Sequence, residues 1–193
     1  MKIVLIDYGS GNIQSIQFAL QRLGYEGILS NDIETIQTAD KVIFPGVGEA
    51  QTAMRKLTEN GLDTIIPTLK QPVLGICLGM QLMCAFSEER NTKGLGIFDA
   101  TVVRFPKEVR TPHTGWNKIN NFQSILFDGI NEGAFMYFVH SYYAPKCSES
   151  IAETAYDCTY SSALQKNNFY GVQFHPEKSG KVGAQLLSNF LKL

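Results

Sequence analysis

Lys2 to Asp7 reads as a strand, an apolar run broken only at its ends, and apolar residues then recur at Ile13, Ile16, Leu20 and Leu23 before Gly24. That second spacing is the three-and-four repeat of a helix with one buried side, and the glycine supplies its stop. Strand-like segments follow near Gly27 to Ser30, Val42 to Phe44 and Val73 to Ile76, with helical patterns at Ala50 to Glu59 and Leu62 to Leu69. Alternation of this kind predicts a central, mostly parallel sheet flanked by helices on both faces. From about residue 100 to 175 the chain becomes strand-rich, with runs at Thr101 to Phe105, Lys118 to Phe122, Phe135 to Val139, Ile151 to Tyr156 and Tyr170 to Phe174. Val182, Leu186, Leu187 and Phe190 mark a closing amphipathic helix. The expected fold is therefore α/β, one domain over residues 1–193, with an antiparallel excursion in the second half.

Composition narrows the function classes. A chain of 193 residues that is 44% hydrophobic can bury one core, and no Ser/Gly/Pro-rich linker divides it. The formal net charge is −1 and the basic residues are scattered, which speaks against a nucleic-acid or membrane-surface partner. The first apolar run is too short for a signal-peptide core, and no run nears the roughly 20 apolar residues of a membrane span, so a cytoplasmic protein is expected. Cys77, Cys84, Cys147 and Cys158 are irregularly spaced and form no CxxC pair. In a reducing compartment that pattern predicts neither disulfides nor structural zinc, but one reactive cysteine among inert ones.

The reactive one is Cys77. In Leu-Gly-Ile-Cys-Leu-Gly at 74 to 79 an apolar run stops at a cysteine framed by Gly75 and Gly79, the pattern of a nucleophile elbow. The glycines relieve crowding at a sharp strand-to-helix turn, and the positive end of the following helix favours a thiolate. A buried cysteine at a strand end is usually an inert small hydrophobe, but that alternative leaves both glycines unexplained. A cysteine nucleophile needs a base, and the chain has only His113, His140 and His175. His175 stands in Gln173-Phe174-His175-Pro176-Glu177, where an extended chain through Pro176 would bring Glu177 to the second ring nitrogen. Glu177 would then orient the imidazole and stabilise its charged form. His140, after a strand, lacks a carboxylate at a useful spacing and reads as a structural histidine; His113 reads as a loop residue with a structural or interface role. Pro45-Gly46-Val47-Gly48 follows a strand and precedes a helix, so its N–H groups are candidates for an oxyanion site together with Leu78 N–H; the alternative is a plain turn. Gly9-Ser10-Gly11 is not a dinucleotide signature, because Gln14 occupies the third glycine's place.

Pro-Gly-Val-Gly at 45 to 48, Gly-Ile-Cys-Leu-Gly-Met-Gln at 75 to 81 and His-Pro-Glu at 175 to 177, in that order, resemble the class I, or triad, glutamine amidotransferases. More narrowly, Asp7-Tyr-Gly-Ser-Gly-Asn12, Pro112-His-Thr-Gly-Trp-Asn117, Tyr137-Phe-Val-His-Ser-Tyr142 and His175-Pro-Glu-Lys-Ser179 are similar to the glutaminase subunits of imidazole glycerol phosphate synthases. The resemblance runs from the first strand to the last helix. It implies that Cys77 attacks the side-chain amide of L-glutamine, that His175 relays the proton to ammonia, and that Glu177 orients His175. It implies oxyanion and activation roles for Val47, Gly48 and Leu78, and contacts to glutamine from Gly46, Gly48, Gln81, Ser141 and Tyr142. No cofactor and no metal are implied. The implied partner is a (β/α)8-barrel cyclase, in a heterodimer, that uses the ammonia to make imidazole glycerol phosphate and aminoimidazole carboxamide ribotide in histidine biosynthesis. Asn12, Trp116, Tyr137 and Lys178 match positions near the partner face. Glu49-Ala50-Gln51 departs from the family pattern and sets a negative charge beside the oxyanion strand. A triad glutaminase serving another synthase, for instance one aminating a surface sugar, and a non-catalytic binding subunit are the alternative readings.

Overall fold

A computed structural model describes residues 1–9 and 13–193. Its first half runs β1 (Ile3–Ile6), α1 (Ile13–Arg22), β2 (Gly27–Ser30), α2 (Ile33–Gln37), β3 (Lys41–Phe44), α3 (Ala50–Glu59), α4 (Leu62–Ile65), β4 (Val73–Ile76) and α5 (Leu78–Met83). The second half adds β5 (Cys84–Ser87), β6 (Thr92–Lys93), β7 (Phe98–Arg104), β8 (His113–Ile119), β9 (Ala134–His140), β10 (Tyr142–Pro145), β11 (Ser150–Tyr156), β12 (Cys158–Lys166), β13 (Phe169–Val172) and α6 (Gly180–Lys192). The parallel part of the sheet has the order β2-β1-β3-β4-β13, and beyond β13 it continues through β12, β10, β7, β5 and β6. The pairings β13 to β12, β12 to β10 and β10 to β7 are antiparallel, so the expected excursion extends the same sheet.

Burial explains the short uninterrupted runs. Along β1, Ile3 and Leu5 enter one core with residues of α1 and α6, while Val4 and Ile6 enter a second core with residues of α2, α3 and α5. Both faces of the inner parallel strands are thus dry, and every residue of β1, β3, β4 and β13 is buried, whereas the edge strand β2 is partly exposed.

Two expected elements are displaced, each for a local reason. The helix expected over Leu62 to Leu69 ends at Ile65 and tightens into a 3-10 turn over Ile66–Thr68, because Pro67 brings no backbone donor and disfavours helical geometry in the residue before it. The strand expected over Lys118 to Phe122 lies instead at His113–Ile119, paired residue for residue with Ala134–His140 in a separate two-stranded ribbon. Its inner face carries polar His113 at one end and Ile119 at the other, and its outer face carries Trp116, so the usual apolar-in alternation is broken. The five-residue α2, too short to show a period, was not anticipated; Asp32 caps it by accepting Thr35 N–H at 2.8 Å.

The topology positions the chemistry. β4 lies between β3 and β13, and all three run parallel. The carboxyl ends of these neighbours therefore deliver Cys77, Pro45-Gly46-Val47-Gly48 and His175 to one edge, the place where open α/β sheets bind ligands.

Candidate active site

Cys77 takes a backbone conformation that residues with a Cβ rarely adopt, φ 54° and ψ −110°, between β4 and α5. Its N–H is tied to Val172 O at 2.8 Å, locking the elbow to β13. The flanking glycines are required by space. A Cβ on Gly79 would meet Phe44 O at 1.9 Å, and one on Gly46 would meet Gly79 N at 2.5 Å, so the segment after β3 lies directly against the elbow. Gly46 is thus a packing residue and does not line the cavity in front of Cys77. Gly48 is different: nothing lies within 4 Å of a Cβ there, but its φ of +100° is one that glycine alone adopts readily.

His175 and Glu177 form the expected pair, with His175 Nδ1 2.8 Å from Glu177 Oε1 and both side chains buried. The route differs from the expected extended chain. Residues Pro176–Lys178 form a 3-10 turn that begins at the proline, which suits the first position of a helix, and the turn folds Glu177 back onto the ring. Tyr137 O accepts His175 N–H, and Ser179 Oγ donates to His175 O while accepting Tyr137 N–H, so β9 holds the histidine in place. With Nδ1 taken by Glu177, the buried His175 Nε2 is left to face Cys77, whose hydrogen bond and charge act on the ring. Burial pulls the His175 pKa down, but the negative charge of Cys77 as a thiolate and the Glu177 carboxylate outweigh it and raise it to about 10. The imidazole is thus set to carry a proton when the sulfur carries a charge. Burial, helped by Cys147 and Glu149, pushes the Cys84 thiol up, as expected of an inert cysteine.

Of the two other histidines, His140 lines the wall of the cavity in front of Cys77 and His113 lies behind it. His113 opens β8 on its inner face, opposite His140 at the end of β9, a structural position within the ribbon and not the expected loop. His140 Nδ1 is 2.8 Å from the acceptor-only Tyr142 O, so that nitrogen carries the proton and His140 Nε2 accepts. Tyr160 Oη lies 3.1 Å from His140 Nε2 and 3.2 Å from His113 Nδ1, and Asn117 Nδ2 lies 3.3 Å from His113 Nε2. This neutral network agrees with a structural His140. Burial drives the His140 pKa down to about 3, helped by the other two histidines. The unfolded value is about 6.5, so below it the unfolded chain binds the extra proton and stability falls as the pH drops toward the native value. Unfolding free energies from urea titrations are expected to decline between pH 6.5 and 4 by about 1.4 kcal/mol per pH unit on this account. His140→Gln should flatten that slope; an unchanged slope would contradict the assignment.

A cavity of about 270 Å³ opens in front of Cys77, lined by Val47, Gly48, Leu78, Gln81, Ser141, Tyr142 and His175 among others. Gln81 donates both amide hydrogens to the protein, to Tyr142 O at 2.9 Å and to Gln173 Oε1 at 2.8 Å. Its own oxygen is what remains for a ligand. Glu89 also lines the cavity, and its Oε2 accepts Ala50 N–H at 2.7 Å, capping α3 where Glu49 does not. Burial raises the pKa of Glu89, and the Ala50 N–H opposes this. Sequence reasoning misses Glu89, since nothing in its neighbourhood marks it; the signal for Gln173 is its place two residues before His175 in Gln-Phe-His-Pro-Glu. Glu49 is paired with Arg90 at 3.3 Å, so its charge does not stand alone beside the oxyanion strand.

Trp116, Tyr137 and Lys178 stay outside the cavity. Trp116 is 55% exposed and packs edge-on to Tyr137, and Lys178 is exposed. Asn12 lies outside the described residues.

The arrangement can perform acyl transfer: a thiol nucleophile at an elbow, an imidazole backed by a carboxylate, and a glycine-bearing strand beside them. The comparisons with known proteins agree. The chain is 55% identical to an imidazole glycerol phosphate synthase subunit HisH of Bacteroides fragilis and 47% identical to that of Pectobacterium atrosepticum, each match covering 100% of both chains. A crystal structure of a glutamine amidotransferase shares the fold with a TM-score of 0.77 at 19% identity, covering 98% of this chain and 97% of that one. The model of the class-I glutamine amidotransferases matches residues 4–193, and this chain belongs to that family.

Proposed function

We infer that the chain is the glutaminase subunit of an imidazole glycerol phosphate synthase, releasing ammonia from L-glutamine for a cyclase subunit in histidine biosynthesis. The observation that carries this reading is the Cys77, His175 and Glu177 constellation, facing one cavity in a chain 45 to 55% identical over its length to several HisH subunits. The whole of residues 1–193 serves as one amidotransferase domain.

The chemistry follows from the placements. Cys77 Sγ attacks the amide carbon of glutamine, a C–S bond forms, and the carbonyl electron pair moves onto oxygen. Backbone N–H groups at Val47 or Gly48 and at Leu78 receive that oxyanion; Leu78 is the first residue of α5, where N–H groups have no partner within the helix. Collapse breaks the C–N bond, and the proton on His175 Nε2 goes to the leaving nitrogen, giving ammonia and a γ-glutamyl thioester. Water then gives its proton to His175, attacks the thioester, and glutamate leaves as the thiolate returns. The Glu89 carboxylate suits the substrate's ammonium group, and Gln81, Ser141 and Tyr142 surround the rest.

The outer face of the β8–β9 ribbon suits the cyclase. Trp116 and Phe135 are half exposed there, with Tyr137 and Lys178 adjoining, and an exposed aromatic cluster is characteristic of an interface. Tyr137 also holds His175 through its backbone, which links that face to the base. Among the described residues no helix is long and apolar enough to cross a membrane. The cytoplasm, where thiols stay reduced, is the proposed location.

The test is to mix the protein with a cyclase subunit and measure glutamate release with and without the cyclase's nucleotide ligand. Release is expected to rise with the partner and further with its ligand. No response to either would overturn the assignment.

A further inference from the structure

We propose that Gln173 is a further residue of the glutaminase machinery, a buried amide that presents an N–H to Cys77 Sγ while fixing Gln81 with its carbonyl oxygen free for the substrate. This rests on the reading of Cys77 as the glutaminase nucleophile.

The argument begins with an acceptor that cannot be reassigned. Tyr142 O is a backbone carbonyl, so the Gln81 atom 2.9 Å from it must be the amide nitrogen. The other hydrogen of that nitrogen points to Gln173, whose atom at 2.8 Å must therefore be oxygen. Gln173 then has its NH2 group on the other branch, and that nitrogen lies 3.7 Å from Cys77 Sγ. No amide flip is compatible with the chain of bonds. Gln173 is fully buried, and its N–H to Ser162 O at 2.9 Å fixes the backbone.

The direction of the last bond matters. As a thiol, Cys77 has an acceptor for its proton in Val139 O at 3.9 Å; as a thiolate it faces that oxygen unfavourably and needs donors. Gln173 supplies one such donor from inside the protein, beside the proton on His175. A hydrogen bond to a buried ion is stronger than one between neutral groups, so the charged nucleophile gains most from it. The same amide leaves Gln81 as an acceptor only, which suits a substrate rich in N–H donors. The sequence places Gln173 two residues before His175, just past the end of β13, while Phe174 between them enters the core.

Two variants in the complex with the cyclase separate the roles. Gln173→Met removes both bonds at similar volume; kcat for glutamine is expected to fall by about 10- to 100-fold, KM to rise, and the acid limb of the kcat/KM pH profile to move upward. Gln173→Glu keeps the acceptor for Gln81 but replaces the donor to sulfur, so kcat should fall while KM stays near that of the unaltered enzyme. Ammonium-dependent synthesis, which bypasses Cys77, reports whether each variant folds and assembles. Should Gln173→Met fail to fold, Gln173→Glu alone decides. Either folded variant with unaltered kcat and pH profile overturns the proposal. If Cys77→Ala is inactive in the same assay, only the role of Gln173 falls; if Cys77→Ala still releases glutamate, the reading of the site falls with it.

Discussion

Cys77→Ala is expected to reduce glutamine-dependent synthesis by the cyclase complex by about 10⁴-fold or more, while synthesis from free ammonium stays intact. The size follows from what the side chain does. Removing the nucleophile removes the covalent route altogether, leaving the oxyanion site and binding contacts to act on water. The split between the two nitrogen sources follows from structure, because Cys77 lies at the carboxyl end of β4 facing its own cavity. A second readout belongs to the same variant. The His175 pKa is raised to about 10 against burial largely by the Cys77 charge, so ring NMR of Cys77→Ala should show the His175 titration moved downward. Glu177 alone then opposes desolvation. Undiminished glutamine-dependent turnover would remove Cys77 from the mechanism, and an unmoved His175 titration would deny the electrostatic pairing.

Gly79→Ala should be the most damaging change that alters no functional group. Its added methyl would meet Phe44 O at 1.9 Å and Phe44 C at 3.0 Å, both backbone atoms that no rotamer change can move. Relief requires prising the segment after β3 away from the elbow. Overpacking of this kind costs about 3 kcal/mol, which for a chain of this length corresponds to a fall in Tm of roughly 6 to 12 °C. The displaced segment also carries Val47 and Gly48, so glutaminase activity should fall further than ammonium-dependent synthesis does. Calorimetry together with the two assays gives the answer. A Tm within about 2 °C of the parent would show that the elbow tolerates the methyl and that the packing argument fails.

Legibility in the sequence tracked how local the governing physics was. Gly75 and Gly79 around Cys77 were readable because the crowding they relieve is that of a strand-to-helix turn, and the inner parallel strands were readable because burial on both faces makes them almost wholly apolar. Pro176 marked the His175 turn, although it was read as extending the chain where it opens a 3-10 turn. β8 was misplaced because Trp116 outside and His113 inside break the expected alternation, and only pairing with β9 explains why such residues sit there. Glu89 gave no signal at all: it reaches the cavity because its turn packs against the start of α3, twelve residues beyond Cys77.

The sequence by itself determined the candidate nucleophile, its candidate base and orienting acid, the glycine-bearing segment and the α/β class, since each is written in neighbours a few residues apart. Only the tertiary structure decided which ends of which strands meet. The parallel order β3, β4, β13 brings residues 48, 77 and 175 together, and hydrogen bonds from Gln81 to Tyr142 and Gln173 span 61 and 92 residues of chain. Such contacts depend on sheet order and register, which no local pattern encodes, and they give Gln81 its direction and Gln173 its place beside the sulfur.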